Sequence, residues 1–202
     1  MLAHVRFLKE FILHPRNTGA VAPSSRWLAR AMLRAVEPDR GGVFVEYGPG
    51  LGSFTREALR VFGAPGPDGA DSTRRFFAIE INPSFVKDLR GRFPALSIHE
   101  GCASRVGDFC GEEGVDGVDG IISGLPWAAF PGELQDKLLE PMKAVMRPGA
   151  RFTTFAYVHA LRLPAAKRFR EKLGNLFPEV RASRVVWRNF PPAICYTAVR
   201  GD

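Results

Sequence analysis

Apolar residues recur along the chain with two different periods, and the change of period marks its organisation. Over residues 2–13, Leu2, Val5, Phe7, Leu8, Phe11, Ile12 and Leu13 share a broad arc, with Arg6, Lys9 and Glu10 opposite and His4 the exception. That spacing predicts an amphipathic helix. Residues 14–25, rich in Pro, Gly, Asn and Ser, predict a loop. RWLARAMLRAV (26–36) predicts a second helix, capped by Ser24 or Ser25 and stopped before Glu37-Pro38. The pattern then switches. VFVEYG (43–48) is a continuous apolar run with one acid inside it, as in a strand buried on both faces. Further strands are expected at FFAIEI (76–81), ALSIHE (95–100), VDGIISG (118–124), GARFTTFAYV (149–158), EVRASRVVW (179–187) and AICYTAV (193–199). Helices are expected at 53–62, 83–93, 131–146 and 164–177, and residues 63–75 predict an exposed turn-rich loop.

Strands that alternate with helices predict an α/β protein whose sheet is mostly parallel and covered on both faces. No helix separates the last two strands, so they must run antiparallel through the RNFPP turn. The expectation is a Rossmann-like sheet of seven strands with the last one reversed. Residues 1–40 would form an N-terminal helix, a lid loop and a second helix, and 41–202 the main domain.

At 202 residues the chain suits one domain and can bury a full core without disulfides or a structural metal. Its N-terminus lacks a signal-peptide pattern, and no apolar run approaches the roughly 20 residues of a membrane span. Three cysteines, Cys102, Cys110 and Cys195, form no CxxC pair, which argues for a reducing cytoplasm and against zinc. The net charge of +7 is segregated: Lys/Arg outnumber Asp/Glu by 7 to 3 over residues 1–40 and by 11 to 3 over 147–202, but trail by 10 to 15 between. If the ends meet, they make one basic face suited to a polyanion or an anionic membrane surface. The alternative is a solvated arginine-rich surface.

The candidate chemistry lies in VFVEYGPGLGSFT (43–55), where a buried strand turns into a helix through Gly48, Gly50 and Gly52. Glycines suit a tight turn approached closely by a ligand. The spacing departs from the dinucleotide fingerprint G-x-G-x-x-G, which would place glycine at Ser53. Glu80 ends the second strand, where a carboxylate can accept both hydroxyls of a ribose. On Glu46-to-Gly52 and Glu80, the chain resembles the class I S-adenosylmethionine (SAM) methyltransferases. The resemblance implies that Glu46 and the Gly48–Gly52 backbone hold the methionine portion and that Glu80 takes the ribose. Ile81 would pack on the adenine, with Asn82 beside it. Cys102 and Ala103 stand where many relatives place an Asp-Ala pair, so adenine recognition would lean on backbone groups. No metal is implied, and the product would be S-adenosylhomocysteine.

The acceptor motif follows the fourth strand: Ser123, Gly124, Leu125, Pro126 and Trp127. This string resembles that of the bacterial soluble-type phospholipid N-methyltransferases, as does the N-terminal pattern Phe11, Pro15, Gly19, Ala20, Pro23, Ser24, Ser25, Leu28 and Ala29. The resemblance implies an enzyme that methylates the amine of phosphatidylethanolamine and its partly methylated forms at the inner membrane surface. The implied catalytic set is Ser123, Gly124, Leu125, Trp127 and Tyr157, with Ser123 also near the cofactor. Trp127, Phe130 and Tyr157 would offer aromatic faces to the amine. Arg162 would meet the lipid phosphate, and Ser24 would close over the site. The N-terminal helix and the run Lys167, Arg168, Arg170 and Lys172 would touch anionic head groups. The alternatives are an rRNA or other nucleic-acid adenine N-methyltransferase and a methyltransferase of another small amine.

Overall fold

The structure is a computed structural model and describes residues 24–37, 41–63 and 74–202. The expected helix at 2–13, most of the N-terminal pattern (Phe11 to Pro23) and most of the 63–75 loop lie outside the described residues.

In chain order the elements are α1 (Arg26–Ala35), β1 (Gly42–Tyr47), α2 (Ser53–Phe62), β2 (Arg74–Glu80), α3 (Pro83–Arg92), β3 (Ser97–Glu100), α4 (Val106–Glu112), β4 (Val118–Ser123), α5 (Gly132–Val145), β5 (Met146–Tyr157), α6 (Pro164–Leu176), β6 (Glu179–Ala182) and β7 (Ala193–Val199). The strands form one seven-stranded sheet in the order β3-β2-β1-β4-β5-β7-β6. β1 pairs in parallel with β2 and β4, and β7 pairs antiparallel with β5 and β6. The expected Rossmann-like α/β sheet with a reversed last strand is therefore present.

Alternation along the strands builds two cores. Phe44, Phe76, Ala78 and Ile122 face α1, α2 and α3, whereas Val45, Tyr47, Phe77, Ile79 and Ile121 face α4, α5 and α6. Strands buried on both faces explain the unbroken apolar runs. α1 contributes Leu28, Ala29, Met32 and Leu33 to the first core, so it packs as part of the same body. Ser25 is its cap: the Ser25 Oγ accepts from the Leu28 amide at 3.3 Å.

Two elements differ from expectation. β6 ends at Ala182 rather than running to Trp187. The Ser183 hydroxyl oxygen takes the Cys195 amide and its own hydrogen goes to the Arg184 carbonyl, which turns the chain out of the ladder. Only an isolated bridge, Val186 to Ala193, resumes it. Helix α4 was not anticipated, because Gly107 and Gly111 mask the helical spacing of Val106, Phe109 and Cys110.

Candidate active site

In an open α/β sheet the ligand crevice forms beyond the strand C-termini, where the strand order reverses. Here the reversal falls between β1 and β4, because β1 is followed by β2 on one side and flanked by β4 on the other. Gly48–Gly52 leaves β1, Glu80 ends β2, and Ser123–Trp127 leaves β4, so the three motifs meet at this edge.

The glycine turn is wedged between its neighbours. The Gly48 amide donates to the Ile79 carbonyl at 2.9 Å, and the Gly124 amide donates to the Tyr47 carbonyl at 2.8 Å. A Cβ on Gly124 would stand 2.7 Å from the Gly48 carbonyl oxygen, so only glycine lets β4 pass this close. Gly50 is different. It has φ +53°, and a Cβ there would meet nothing within 4 Å. The turn thus presents an open backbone at Gly50. Gly50→Ala is expected to cost about 1 kcal/mol of stability for its left-handed backbone, or roughly 2–4 °C in melting temperature. It is also expected to weaken S-adenosylhomocysteine binding at least about tenfold, because the added methyl enters the space left for a ligand. A thermal melt and a calorimetric titration of the same variant check both parts.

Two carboxylates flank this opening. Glu80 is 1% exposed; one oxygen accepts the Gly50 amide and the other the Asn82 amide, each at 2.9 Å. Each oxygen keeps a further lone pair for a hydroxyl. Burial pushes the Glu80 pKa up, against the opposing pull of its backbone hydrogen bonds. Glu46 is fully buried. Its Oε2 accepts the Thr55 hydroxyl at 2.7 Å, while Oε1 has no hydrogen-bond partner. Desolvation, reinforced by the nearby Glu80 charge, raises the Glu46 pKa to about 8. A buried acceptor without a partner is costly and calls for one. Two buried acids, one with a vacant oxygen, beside an open glycine backbone fit a ligand that brings a cation and a pair of hydroxyls. Ribose and the methionine ammonium are such groups, so the residues present fit SAM.

The remaining candidates divide. Ile81, Cys102 and Ala103 are buried near the end of β2 and β3, with Cys102 Sγ accepting the Ser104 hydroxyl at 3.1 Å. Asn82 caps α3, its Oδ1 accepting the Ser84 amide at 3.0 Å. Ser123 is fully buried, and its Oγ accepts the Trp127 indole N–H at 2.9 Å and the Leu125 amide at 3.3 Å.

Trp127 and Phe130 correct an expectation. Both are core residues, 1% and 0% exposed, and offer no ring face to an amine. Trp127 stacks on Phe169 at 4.8 Å and meets Phe152 edge-on, so α6 and β5 already occupy its surroundings. Its position just past a strand end is right, but its ring turns inward to satisfy Ser123. Leu125 is likewise buried, packed where a Cβ on Gly48 would collide with it. Tyr157, partly exposed at the end of β5, stacks with His159 at 5.6 Å and is the candidate ring left at the edge. Arg162 is exposed, with no ion-pair partner among the described residues, on the connection from β5 to α6. Ser24 is partly exposed beside the capping Ser25. In the run on α6, Lys172 is taken by Asp136 and the Gly132 carbonyl, and Lys167, Arg168 and Arg170 remain exposed.

Several supporting residues were not anticipated. Thr55 holds Glu46. Thr154 donates to the Ser123 carbonyl at 3.1 Å. Gln135 donates to the Trp127, Phe130 and Ala165 carbonyls and locks the segment after β4. The carbonyls of Ser123, Leu125 and Pro126 accept from Thr154, Trp127 and Ala129. Among the hydrogen bonds of the described residues, none uses the Gly124 carbonyl. No group of three or more His, Cys, Asp or Glu among the described residues is placed to hold a metal ion.

No family model matches the chain. It is 28% identical over 193 residues to an ornithine lipid N-methyltransferase of Singulisphaera acidiphila, covering 94% of this chain and 92% of that protein. It is 36% identical over 74 residues to ribosomal RNA small subunit methyltransferase A of Nitrosospira multiformis, covering 36% of this chain and 24% of that protein. Among solved structures, TrmN from Thermus thermophilus superposes with a TM-score of 0.62 at 19% identity, over 95% of this chain; the chain spans 53% of that protein's length. The N-methyltransferase NodS from Bradyrhizobium japonicum gives 0.63 at 11% identity, over 88% of this chain and 96% of that one. The chain thus has the fold of the class I SAM-dependent methyltransferases and, along nearly its whole length, is similar in sequence to a lipid N-methyltransferase.

Proposed function

We propose that the chain is a SAM-dependent N-methyltransferase that acts on the amine of a membrane lipid, with phosphatidylethanolamine and its partly methylated forms as acceptors. The observation that carries the methyl-transfer half is Glu80 seated on the Gly50 amide at the switch point, 2.9 Å away. The lipid half is supported by similarity that extends over 94% of the chain rather than over the cofactor motifs alone.

When bound, SAM supplies a methyl group on a sulfonium, ready for in-line displacement. The chain's own residues do the rest by holding and aligning. Glu80 accepts the ribose hydroxyls, and Glu46 gives the ammonium an anionic partner. The Gly48–Gly52 backbone leaves room for the donor. On the acceptor side, the Gly124 carbonyl orients the lipid amine, which must shed a proton before it can attack. Thr154 and Gln135 keep that carbonyl in place. Alignment of this kind is worth up to about 7–11 kcal/mol for well-held reactants. Tyr157 faces the acceptor as the aromatic at the edge, and Arg162 meets its phosphate.

The relative's acceptor, an ornithine lipid, also carries a primary amine and gives a specific second reading within the same chemistry. One assay separates the possibilities. Protein is incubated with methyl-labelled SAM and offered vesicles with phosphatidylethanolamine, vesicles with ornithine lipid, and ribosomal RNA. Label should enter the phosphatidylethanolamine and give mono- and dimethyl products. Label in ornithine lipid alone would move the acceptor to that lipid, and label in RNA alone would refute the lipid reading.

A further inference from the structure

The large apolar side chains that are exposed among the described residues are Leu51, Leu163, Trp187 and Phe190. All four sit at one edge of the sheet. Leu51 is in the turn leaving β1, and Leu163 is on the connection leaving β5. Trp187 and Phe190 are on the connection leaving β6, which runs parallel to β5 because β7 opposes both. This is the edge that carries Gly50, Glu80 and Ser123.

The aromatic pair is held out by a built scaffold. Between Trp187, 75% exposed, and Phe190, 85% exposed, Asn189 is 2% exposed. Asn189 accepts the Ser25 amide at 2.9 Å and donates from its Nδ2 to the Pro191 carbonyl at 2.7 Å. The Val186 amide donates to the Ala193 carbonyl at 2.7 Å, and the Val158 amide to the Pro192 carbonyl at 2.9 Å. The loop is thus tied to α1 and to the end of β5 while its two rings face solvent.

Charge accompanies the rings. Arg184 and Arg188 are exposed on the same loop, with Arg26 exposed at the start of α1 and Arg162 on the connection from β5 to α6. None of the four meets a carboxylate among the described residues. Arg188 and Arg26 lie over the Trp27 ring at 4.6 and 4.9 Å. At the opposite edge, by contrast, Arg147 pairs with Asp116 and Asp119, and Arg151 with Glu37. Unpaired arginines around outward Trp and Phe match the boundary layer of an anionic bilayer, where amphipathic rings lodge and each basic residue adds affinity. Among the described residues no helix is long and apolar enough to cross a membrane, so this surface would rest on the bilayer.

We propose that the edge bearing Trp187 and Phe190 is a membrane-docking face, with the two rings inserted among anionic lipid head groups and Arg184 and Arg188 on their phosphates. This deepens the lipid reading and rests on it: docking in this orientation brings the Gly50–Glu80 opening to the surface where lipid amines lie.

The test uses the full chain, with vesicles of phosphatidylcholine alone or mixed with phosphatidylglycerol, some of the phosphatidylcholine brominated. Tryptophan emission should be quenched on mixed vesicles, and Trp187→Phe should remove most of that quenching while Trp27 and Trp127 remain. The double variants Trp187→Ser/Phe190→Ser and Arg184→Gln/Arg188→Gln should each lower partitioning about tenfold or more, the latter erasing the preference for anionic vesicles. Both should bind S-adenosylhomocysteine as the parent does, which shows the fold intact. Unchanged partitioning of both double variants, quenching that survives Trp187→Phe, or binding of single-stranded RNA lost with the same residues would each overturn the docking face. The acceptor reading fails separately. Label in RNA alone, with docking variants behaving as expected, overturns the acceptor and leaves the docking face standing; label in lipid at parental levels from variants that partition normally does the reverse.

Discussion

Glu80→Ala is expected to lower the affinity for S-adenosylhomocysteine by about 100-fold or more. Each ribose hydroxyl donated to an ionised carboxylate is worth about 1.5–3 kcal/mol, and about 1.4 kcal/mol corresponds to a factor of ten. The side chain also has a structural task, since it accepts the Gly50 and Asn82 amides. Alanine leaves both donors without that acceptor, so the melting temperature should fall as well. Glu80→Gln separates the two effects: it keeps the shape and one oxygen, and should hold the fold better while still binding at least about tenfold more weakly. Calorimetry on both variants, each with a melting curve, is the check. Loss of stability without loss of affinity would mean that Glu80 serves the fold alone.

Glu46→Gln is expected to act in opposite directions on stability and binding. The folded pKa of about 8 lies above the 4.5 of the free side chain, so the folded protein holds the extra proton between those values. Stability from this group is therefore fully present below about pH 4.5 and is lost as pH rises through about 8. Glutamine cannot ionise and carries no such loss. At pH 8 the variant should melt higher than the parent by on the order of 5–10 °C, a few kcal/mol for a chain of this size, and the gap should close toward pH 5. Glu80, whose pKa is also raised, leaves a residual slope of the same sign. Binding should move the other way. A cationic ligand draws Glu46 into its ionised form, so parental affinity should rise with pH toward 8, by at most about tenfold per unit. Glu46→Gln should bind about 10–100-fold more weakly and lose most of that dependence. Melts and titrations across pH 5 to 9 read both.

The legibility of these features in the sequence varied for physical reasons. Strands buried on both faces advertise themselves as apolar runs, and the motif glycines meet hard steric limits, so β1, Gly48–Gly52 and Glu80 could be placed before any geometry was known. Gly124 stands 2.7 Å, by its absent Cβ, from the Gly48 carbonyl, and that too shows in composition as glycine. Trp127 shows where such reasoning stops. Sequence put it correctly after β4 but carried no information on which way the ring turns. The deciding contacts are with Ser123 four residues back and with Phe169 on α6. Thr55 and Asn189 were hidden for the same cause, since each acts on a partner brought near only by the fold: Glu46 across the β1–α2 turn, and Ser25 164 positions away. Trp187 closed a stretch read as strand and Phe190 lay in the turn after it, and it is the Ser183 turn that takes the segment off the ladder and leaves both rings to solvent.

The most direct measurement is a crystal structure of the chain with S-adenosylhomocysteine. The ribose hydroxyls should lie within hydrogen-bond distance of Glu80, the ammonium on the Glu46 side, and the ligand backbone against Gly50. A nucleoside bound elsewhere, or a crevice at Gly50 that stays closed at saturating ligand, would contradict the account.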